Sequence, residues 1–294
     1  MARIGIVGLG IMGLPMMRNV LAAGHQVKGY DRNPAAVAAL VAAGGQAAQS
    51  VADAVDGVDV FITMVPDSPQ VEEVMLGDEG ALRRAAAGLL YIDRSSIRPD
   101  VSKRVAEECR AKAVRPLDAP VSGGEKGAID GALSIMVGGD AEDFAAAEEL
   151  LKTMGKTVVH LGPSGSGQTV KAANQLIVGG TYQLVAEAIV FLEAYGVDTH
   201  AAVKVLAGGL AASRVLDLKG ESMLARQFQP GFRIDLHHKD MGIVTAAARE
   251  AGVVIPLGAL VAQLIGSARA QGDGGLDHSA LLRGVERASG RFAG

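Results

Sequence analysis

The run Ile4-Gly5-Ile6-Val7-Gly8-Leu9-Gly10-Ile11-Met12-Gly13 decides the fold. Its first part is an apolar strand, its second a glycine-rich turn, and the helix-compatible run Leu14 to Ala23 follows. This is the G-x-G-x-x-G fingerprint in the strand–turn–helix setting that gives it meaning. Gly8 permits the tight turn. Gly10, lacking a Cβ, lets a pyrophosphate approach the backbone, and Gly13 lets the helix pack close to the strand. The free N–H groups and positive dipole end of the helix then face the phosphates. Gly8, Leu9, Gly10, Ile11, Met12 and Gly13 are therefore the expected dinucleotide contacts. A second strand, Gln26 to Tyr30, ends at Asp31, the right distance downstream for an acid that binds ribose. Asp31 accepts from ribose hydroxyls and repels a 2′-phosphate, which favours NAD. Arg32 and Asn33 are placed to cradle that phosphate instead, which leaves NADP open.

Outward from this motif, short apolar runs alternate with helix-like stretches through the first half of the chain. Candidate strands are Val60–Val65, Leu89–Asp93, Pro116–Ala119, Leu133–Val137 and Thr157–His160. Asn33-Pro34 reads as an N-cap with proline at the first helical position, Pro99 opens another helix, and Asp140 is placed to cap Ala141–Lys152. Strands alternating with helices imply an α/β, Rossmann-type, doubly wound and mostly parallel sheet. Met64-Val65-Pro66 follows a strand and so sits at the carboxyl edge, where such sheets bind ligands.

The texture changes at Gly162-Pro163-Ser164-Gly165-Ser166-Gly167. The expected division is a dinucleotide-binding domain over 1–163 and an all-helical substrate and oligomerisation domain over 164–294. The second domain opens with one long apolar helix, Gln168 to Tyr195, interrupted only by Gly179-Gly180. That helix is too apolar to be covered easily by so small a domain. It is expected to lie between the domains and to join a homodimer or homotetramer interface.

The bulk numbers narrow the function classes. The chain has 294 residues, 49% hydrophobic and 20% charged, with a formal net charge of −4 and no Trp. The acidic balance and the lack of a long basic block argue against nucleic acid as a partner. No uninterrupted apolar run of about 18 residues suggests a membrane span. Cys109 is the one cysteine, which precludes an intrachain disulfide. The first strand begins by residue 3, leaving no room for a signal peptide, so a cytoplasmic protein is expected. The six histidines form no convincing metal set, and no metal is expected.

Two further segments carry chemistry. Asp118-Ala119-Pro120-Val121-Ser122-Gly123-Gly124 follows a strand and ends in a hydroxyl and two glycines. Successive N–H groups of Ser122, Gly123 and Gly124 make a concave site suited to a substrate carboxylate. In Gly165-Ser166-Gly167-Gln168-Thr169-Val170-Lys171-Ala172-Ala173-Asn174-Gln175, Lys171 and Asn174 lie one helical turn apart on a shared face.

With these motifs in order, the chain resembles the β-hydroxyacid dehydrogenase family, which includes 3-hydroxyisobutyrate dehydrogenases. The likeness runs through Gly8–Met16, Asp118–Gly124, Gly165–Asn174 and Lys239-Asp240. It implies a nicotinamide-dependent oxidoreductase acting on a small, carboxylate-bearing hydroxyacid or its semialdehyde. It implies that Lys171 is the general acid of carbonyl reduction and that Asn174 holds the reacting oxygen or the lysine. An ordinary lysine pKa of about 10.4 suits base work poorly, and desolvation or a second cation such as Lys239 would lower it. By the same resemblance Ser122, Gly123 and Gly124 grip the carboxylate and Ser96 lies near nicotinamide or substrate. Lys239 touches the cofactor, Asp240 orients the lysines, and Phe232 shields the site. Gly208–Ala211, Val215–Asp217, Pro230–His237 and Asp277–Leu281 resemble the branch that reduces tartronate semialdehyde to glycerate. A 3-hydroxyisobutyrate or 4-hydroxybutyrate substrate, imine reduction and a non-catalytic dinucleotide sensor are the competing readings. Arg94 departs from the family pattern and is expected to form a surface salt bridge rather than a second carboxylate contact.

Overall fold

The computed structural model describes residues 1–292. The chain divides into two compact units, residues 1–171 and the remainder from Ala172 onward. The first begins β1 (Arg3–Val7), α1 (Gly13–Ala22), β2 (Gln26–Tyr30), α2 (Pro34–Ala42), β3 (Gln46–Ala47), α3 (Val51–Val55), β4 (Val60–Thr63) and α4 (Ser68–Leu76). It continues with β5 (Leu90–Asp93), α5 (Pro99–Ala111), β6 (Arg115–Asp118), β7 (Val121–Ser122), α6 (Gly124–Ile129), β8 (Leu133–Gly139), α7 (Ala141–Lys152) and β9 (Gly155–Gly162). The long strands fall where their apolar runs predict them. The two-residue strands β3 and β7 carry no such run and are found only in the structure.

The strands form one sheet in the order β3-β2-β1-β4-β5-β6-β8-β7, with β9 added against β8. The strands from β3 to β6 pair in parallel, whereas β8 runs antiparallel to β6. Chain order reverses at the β1–β4 pair, so the segments leaving those strands border the crevice such sheets use for ligands. Both faces are covered. On one, Ile4, Ile6, Ile62, Leu90 and Ile92 pack with Met16, Met17 and Val20 of α1. On the other, Phe61 and Tyr91 pack with Val71 and Met75 of α4 and Val105 and Cys109 of α5. Alternation within wholly buried strands thus divides the apolar side chains between two helical layers.

Helix starts follow the sequence signals in part. The Asn33 side chain accepts from the Ala35 N–H at the start of α2, as expected of an N-cap. Asp140 precedes α7 but makes no side-chain cap bond, and instead lies 3.7 Å from Arg110.

The helical part comprises α8 (Ser166–Ala194), α9 (Thr199–Ala207), α10 (Arg214–Leu224), α11 (Ile234–Glu250), α12 (Pro256–Ala268) and α13 (Leu281–Ala288). Among the described residues, α8 is the one helix long and apolar enough to cross a membrane by length and composition. It is a core helix: Tyr182 packs in one apolar cluster of the second unit, and Val185, Ala186, Ile189 and Val190 build the other. The Gly179-Gly180 pair does not break it. A Cβ on Gly179 would stand 3.1 Å from His237 Nε2 and 3.2 Å from Val261 Cγ1, so the glycine admits close neighbours from α11 and α12.

Candidate active site

The expected dinucleotide residues collect along the carboxyl edge of adjacent parallel strands. Gly8 follows β1 with φ +102°, and a Cβ there would strike the Met64 carbonyl at 2.1 Å, so Met64 and the turn are in contact. A Cβ on Gly13 would meet the Gly8 carbonyl at 2.0 Å, the close packing expected of the third glycine. A Cβ on Gly10 would meet nothing within 4 Å, so the turn is open on the side where a pyrophosphate would lie. Ile11 is exposed and Met12 half-buried. Leu9 differs from a simple contact residue: its side chain enters the core and its N–H donates to Asp31 Oδ2 at 2.7 Å. Asp31 Oδ1 accepts from the Asn33 N–H at 2.8 Å. Asp31 therefore pins the end of β2 to the glycine turn, with Arg32 and Asn33 exposed beside it. Val65 donates its N–H to Ser95 Oγ at 3.0 Å, and Pro66 is exposed just beyond. These residues fit a bound dinucleotide.

The substrate loop leaves β6 at Asp118. Ser122 ends β7, paired with Ser134, and Gly123 (φ +136°) and Gly124 (φ +61°) adopt conformations open to glycine but strained for other residues. Ser122 and Gly124 are half-buried and Gly123 is exposed. Ser96, half-buried, follows β5 on the same sheet edge.

Asp118 itself turns away from this loop. Its Oδ1 accepts from the Gly165 N–H at 2.7 Å and its Oδ2 from the Gln168 N–H at 2.9 Å, at the start of α8. Burial raises its pKa, opposed by the N–H groups of Gly165 and Gln168. Gln168 uses its side chain as well: Oε1 accepts from the Ile97 N–H at 3.1 Å and Nε2 donates to the Ser95 carbonyl at 2.8 Å. Lys171, one turn further along α8, is 8% exposed.

In the second unit Asn174 Nδ2 donates to Gln175 Oε1 at 2.8 Å, and Gln175 Nε2 donates to Asp240 Oδ2. Asp240 Oδ1 lies 2.8 Å from Lys239 Nζ, so Asn174, Gln175, Asp240 and Lys239 form one polar chain between α8 and α11. Phe232 is half-buried against the rings of His237 and His278, at 5.9 and 5.3 Å between centroids. Asp277 holds its loop by accepting from the Gly231 and Phe232 N–H groups and from Lys219 Nζ.

Arg94 corrects the sequence reading. It is not at the surface but wholly buried, with Nη2 3.5 Å from Met16 Sδ and no partner for Nε or Nη1 among the described residues. Burial lowers its pKa to about 9, opposed by the Asp93 charge. Asp118 and Gln168 lie inside motifs visible in the sequence, but their partners are remote in sequence and no local spacing announces them. Among the described residues no group of three or more His, Cys, Asp or Glu side chains is placed to hold a metal.

The fold and the glycine turn define a dinucleotide-binding protein, and the comparisons narrow the class. Residues 3–162 match the family model for the NAD-binding domain of 6-phosphogluconate dehydrogenase. Residues 165–285 match the model for the NAD-binding part of NADP-dependent 3-hydroxyisobutyrate dehydrogenase. The chain is 40% identical to a 2-hydroxy-3-oxopropionate reductase of Escherichia coli over 97% of each protein. It is 38% identical to a 3-hydroxyisobutyrate dehydrogenase of Pseudomonas aeruginosa, over 96% of this chain and 98% of that one. The solved structure of Mycobacterium tuberculosis 3-hydroxyisobutyrate dehydrogenase with L-serine superposes with a TM-score of 0.87 at 32% identity, over 96% of this chain and 98% of that one. The chain belongs to the 3-hydroxyisobutyrate dehydrogenase-type β-hydroxyacid dehydrogenase family. It is an NAD(P)-dependent oxidoreductase that acts on the CH–OH group of small hydroxyacids.

Proposed function

We propose that the protein reduces tartronate semialdehyde to glycerate, with Lys171 as the proton donor. The observation that carries the reaction is a lysine only 8% exposed on α8, with Asn174 one turn beyond it. The substrate choice draws on the 40% identity to the 2-hydroxy-3-oxopropionate reductase. When bound, the reduced nicotinamide supplies the hydride for the aldehyde carbon. The chain's own residues do the rest. Amides of Ser122–Gly124 and the Ser122 hydroxyl hold the carboxylate. Lys171 Nζ gives its proton to the carbonyl oxygen as that oxygen gains charge, and takes it back in the oxidative direction. Asn174 orients the oxygen or the ammonium, Asp240 fixes Lys239 at the cofactor, Ser96 touches nicotinamide or substrate, and Phe232 excludes water.

The preferred cofactor in this reading is NAD. The Asp31 charge disfavours a 2′-phosphate, and Asp31→Ala is expected to shift preference toward NADP. The dinucleotide domain is taken as 1–163 and the helical substrate domain as 164–294, in a cytoplasmic homodimer or homotetramer. The partners are a small carboxylate-bearing substrate and the dinucleotide.

A steady-state panel tests the substrate, with both reduced cofactors for the semialdehydes and both oxidised cofactors for L-serine. Tartronate semialdehyde is expected to show the highest kcat/KM, against the semialdehydes of 3-hydroxyisobutyrate and 4-hydroxybutyrate and oxidation of L-serine. Faster turnover of any of these reverses the choice. Lys171→Met is expected to cost about 10²–10⁴ in kcat while cofactor binding persists. A variant that keeps the wild-type rate removes Lys171 from the reaction.

A further inference from the structure

We propose that Asp118 and Gln168 form a positioning clamp that sets Lys171 against the two substrate-bearing segments of the sheet edge. The inference rests on the reading of Lys171 as proton donor.

The first N–H groups of a helix have no partner within it. At the start of α8 two of these are taken by a side chain remote in sequence: Asp118 accepts from Gly165 at 2.7 Å and from Gln168 at 2.9 Å. The carboxylate is buried, so its position is fixed by protein rather than by water. Two glycines shape its socket. A Cβ on Gly138 would stand 2.5 Å from Asp118 Oδ1, and one on Gly167 2.8 Å from Oδ2. A carboxylate bonded to two N–H groups in so tight a socket has little freedom to swing. Because Asp118 is also the residue from which the Ser122–Gly124 loop departs, the carboxylate ties that loop to α8.

Gln168 supplies the second arm. Its amide accepts from the Ile97 N–H and donates to the Ser95 carbonyl, bracketing Ser96 from both sides. Both polar ends of the amide are used in a side chain 1% exposed. Three segments that share no sequence neighbourhood thereby meet on one turn of α8: 95–97 with Ser96, 118–124 with the carboxylate loop, and 165–171 with Lys171. Structural burial alone asks only that Gln168 be packed. A two-ended bond to the peptides on either side of Ser96, one turn before Lys171, sets their separation. Misplacing a reacting group by about 1 Å is enough to cost roughly a hundredfold in rate.

The test compares Gln168→Met, similar in volume but without the amide, and Asp118→Asn with wild type and Lys171→Met. Melting temperature, NADH affinity, kcat, KM and the isotope effect from 4-deuterated NADH are read for each. The clamp predicts kcat lower by about ten- to a hundredfold, NADH affinity unchanged, and KM changed less than threefold. It also predicts an isotope effect on kcat that rises as the chemical step slows. A purely structural role lowers the melting temperature and the active fraction but leaves the isotope effect at the wild-type value. Gln168→Glu adds a pH signature. Protonated, the acid restores both bonds, so its kcat relative to wild type falls as pH rises. Folded variants with wild-type kcat and isotope effect overturn the clamp while Lys171→Met still establishes the proton donor. If Gln168→Met fails to fold, Asp118→Asn and the pH ratio of Gln168→Glu decide by the same criteria. Absence of turnover by wild type across the substrate panel, or an active Lys171→Met, instead overturns the proposed function, and the clamp with it.

Discussion

Asp93 and Arg94 are consecutive, yet the strand sends them to opposite faces of the sheet. Asp93 Oδ1 accepts from Thr63 Oγ1 and the Ser95 N–H, while Arg94 reaches Met16 on the other side. Burial pushes the Asp93 pKa up to about 6 from 3.8, and Asp118 adds to the rise. The folded state then holds the proton more tightly than the unfolded one, so this residue weakens the fold as pH climbs through that interval. The gap of about two pH units corresponds to roughly 3 kcal/mol. Urea denaturation of Asp93→Asn and wild type over a pH series is expected to show the variant gaining roughly 3 kcal/mol on wild type between pH 4 and pH 7. A difference constant with pH would refute it. Arg94 carries the complementary prediction. Replacing a buried cation that has two unpartnered nitrogens by an apolar side chain of similar length removes a desolvation cost, so Arg94→Met is expected to raise the melting temperature. A charged residue after a strand reads as solvent-facing. Period-two counting from Leu90 and Ile92 puts it on the face covered by α1, and that rule outweighs charge here. Cys109 packs in the core of the α5 layer, where burial pushes its thiol up to about 12.

At the level of elements, the strands that bear the glycine turn and the substrate loop were readable because each is a short apolar run ending in a glycine, an acid or a hydroxyl. What escaped was the bonding of loops to distant side chains. Asp277 is the clearest case. It stands in a segment recognisable only by likeness, but the structure shows its carboxylate accepting from Gly231, Phe232, Ser279 and Lys219. Burial acts to raise its pKa, but the His278 charge, a Ser279 hydrogen bond and Lys219 together outweigh it and bring the value to about 2. A carboxylate held below its unfolded value of 3.8 stabilises the fold above that pH and loses the contribution as pH falls through 2. Asp277→Ala strands the Lys219 ammonium and three backbone N–H groups, so it is expected to cost about 3 kcal/mol or more at neutral pH. The deficit relative to wild type is expected to shrink as pH falls below 4. Thermal melts from neutral pH down to pH 2 check both, and a deficit that grows between pH 4 and pH 2 contradicts the assignment.

Over the whole molecule, the sequence forecast an apolar helix with more surface than its own domain covers, and α8 has that character. One side builds the two apolar clusters of the second unit. Ile177, Leu184 and Phe191 remain exposed at 68%, 64% and 62%. Their seven-residue spacing keeps them in one stripe, with Thr181 and Ala188 between them as small neighbours. Leu257 and Leu260 of α12 are exposed as well, at 75% and 56%. Single exposed apolar residues are ordinary, but a repeating row on one helix marks a contact surface. We propose a second copy of the chain as its occupant, since the stripe repeats at heptad spacing and is apolar but for Glu187, exposed between Leu184 and Phe191. Sedimentation at micromolar concentration is expected to give a dimer or larger assembly. The double variant Leu184→Glu with Phe191→Glu places like charges along the seam and is expected to shift the distribution to monomer while the far-ultraviolet dichroism stays unchanged. Wild-type protein that sediments only as monomer, or a variant that assembles as before, would mean that this stripe is not a subunit interface.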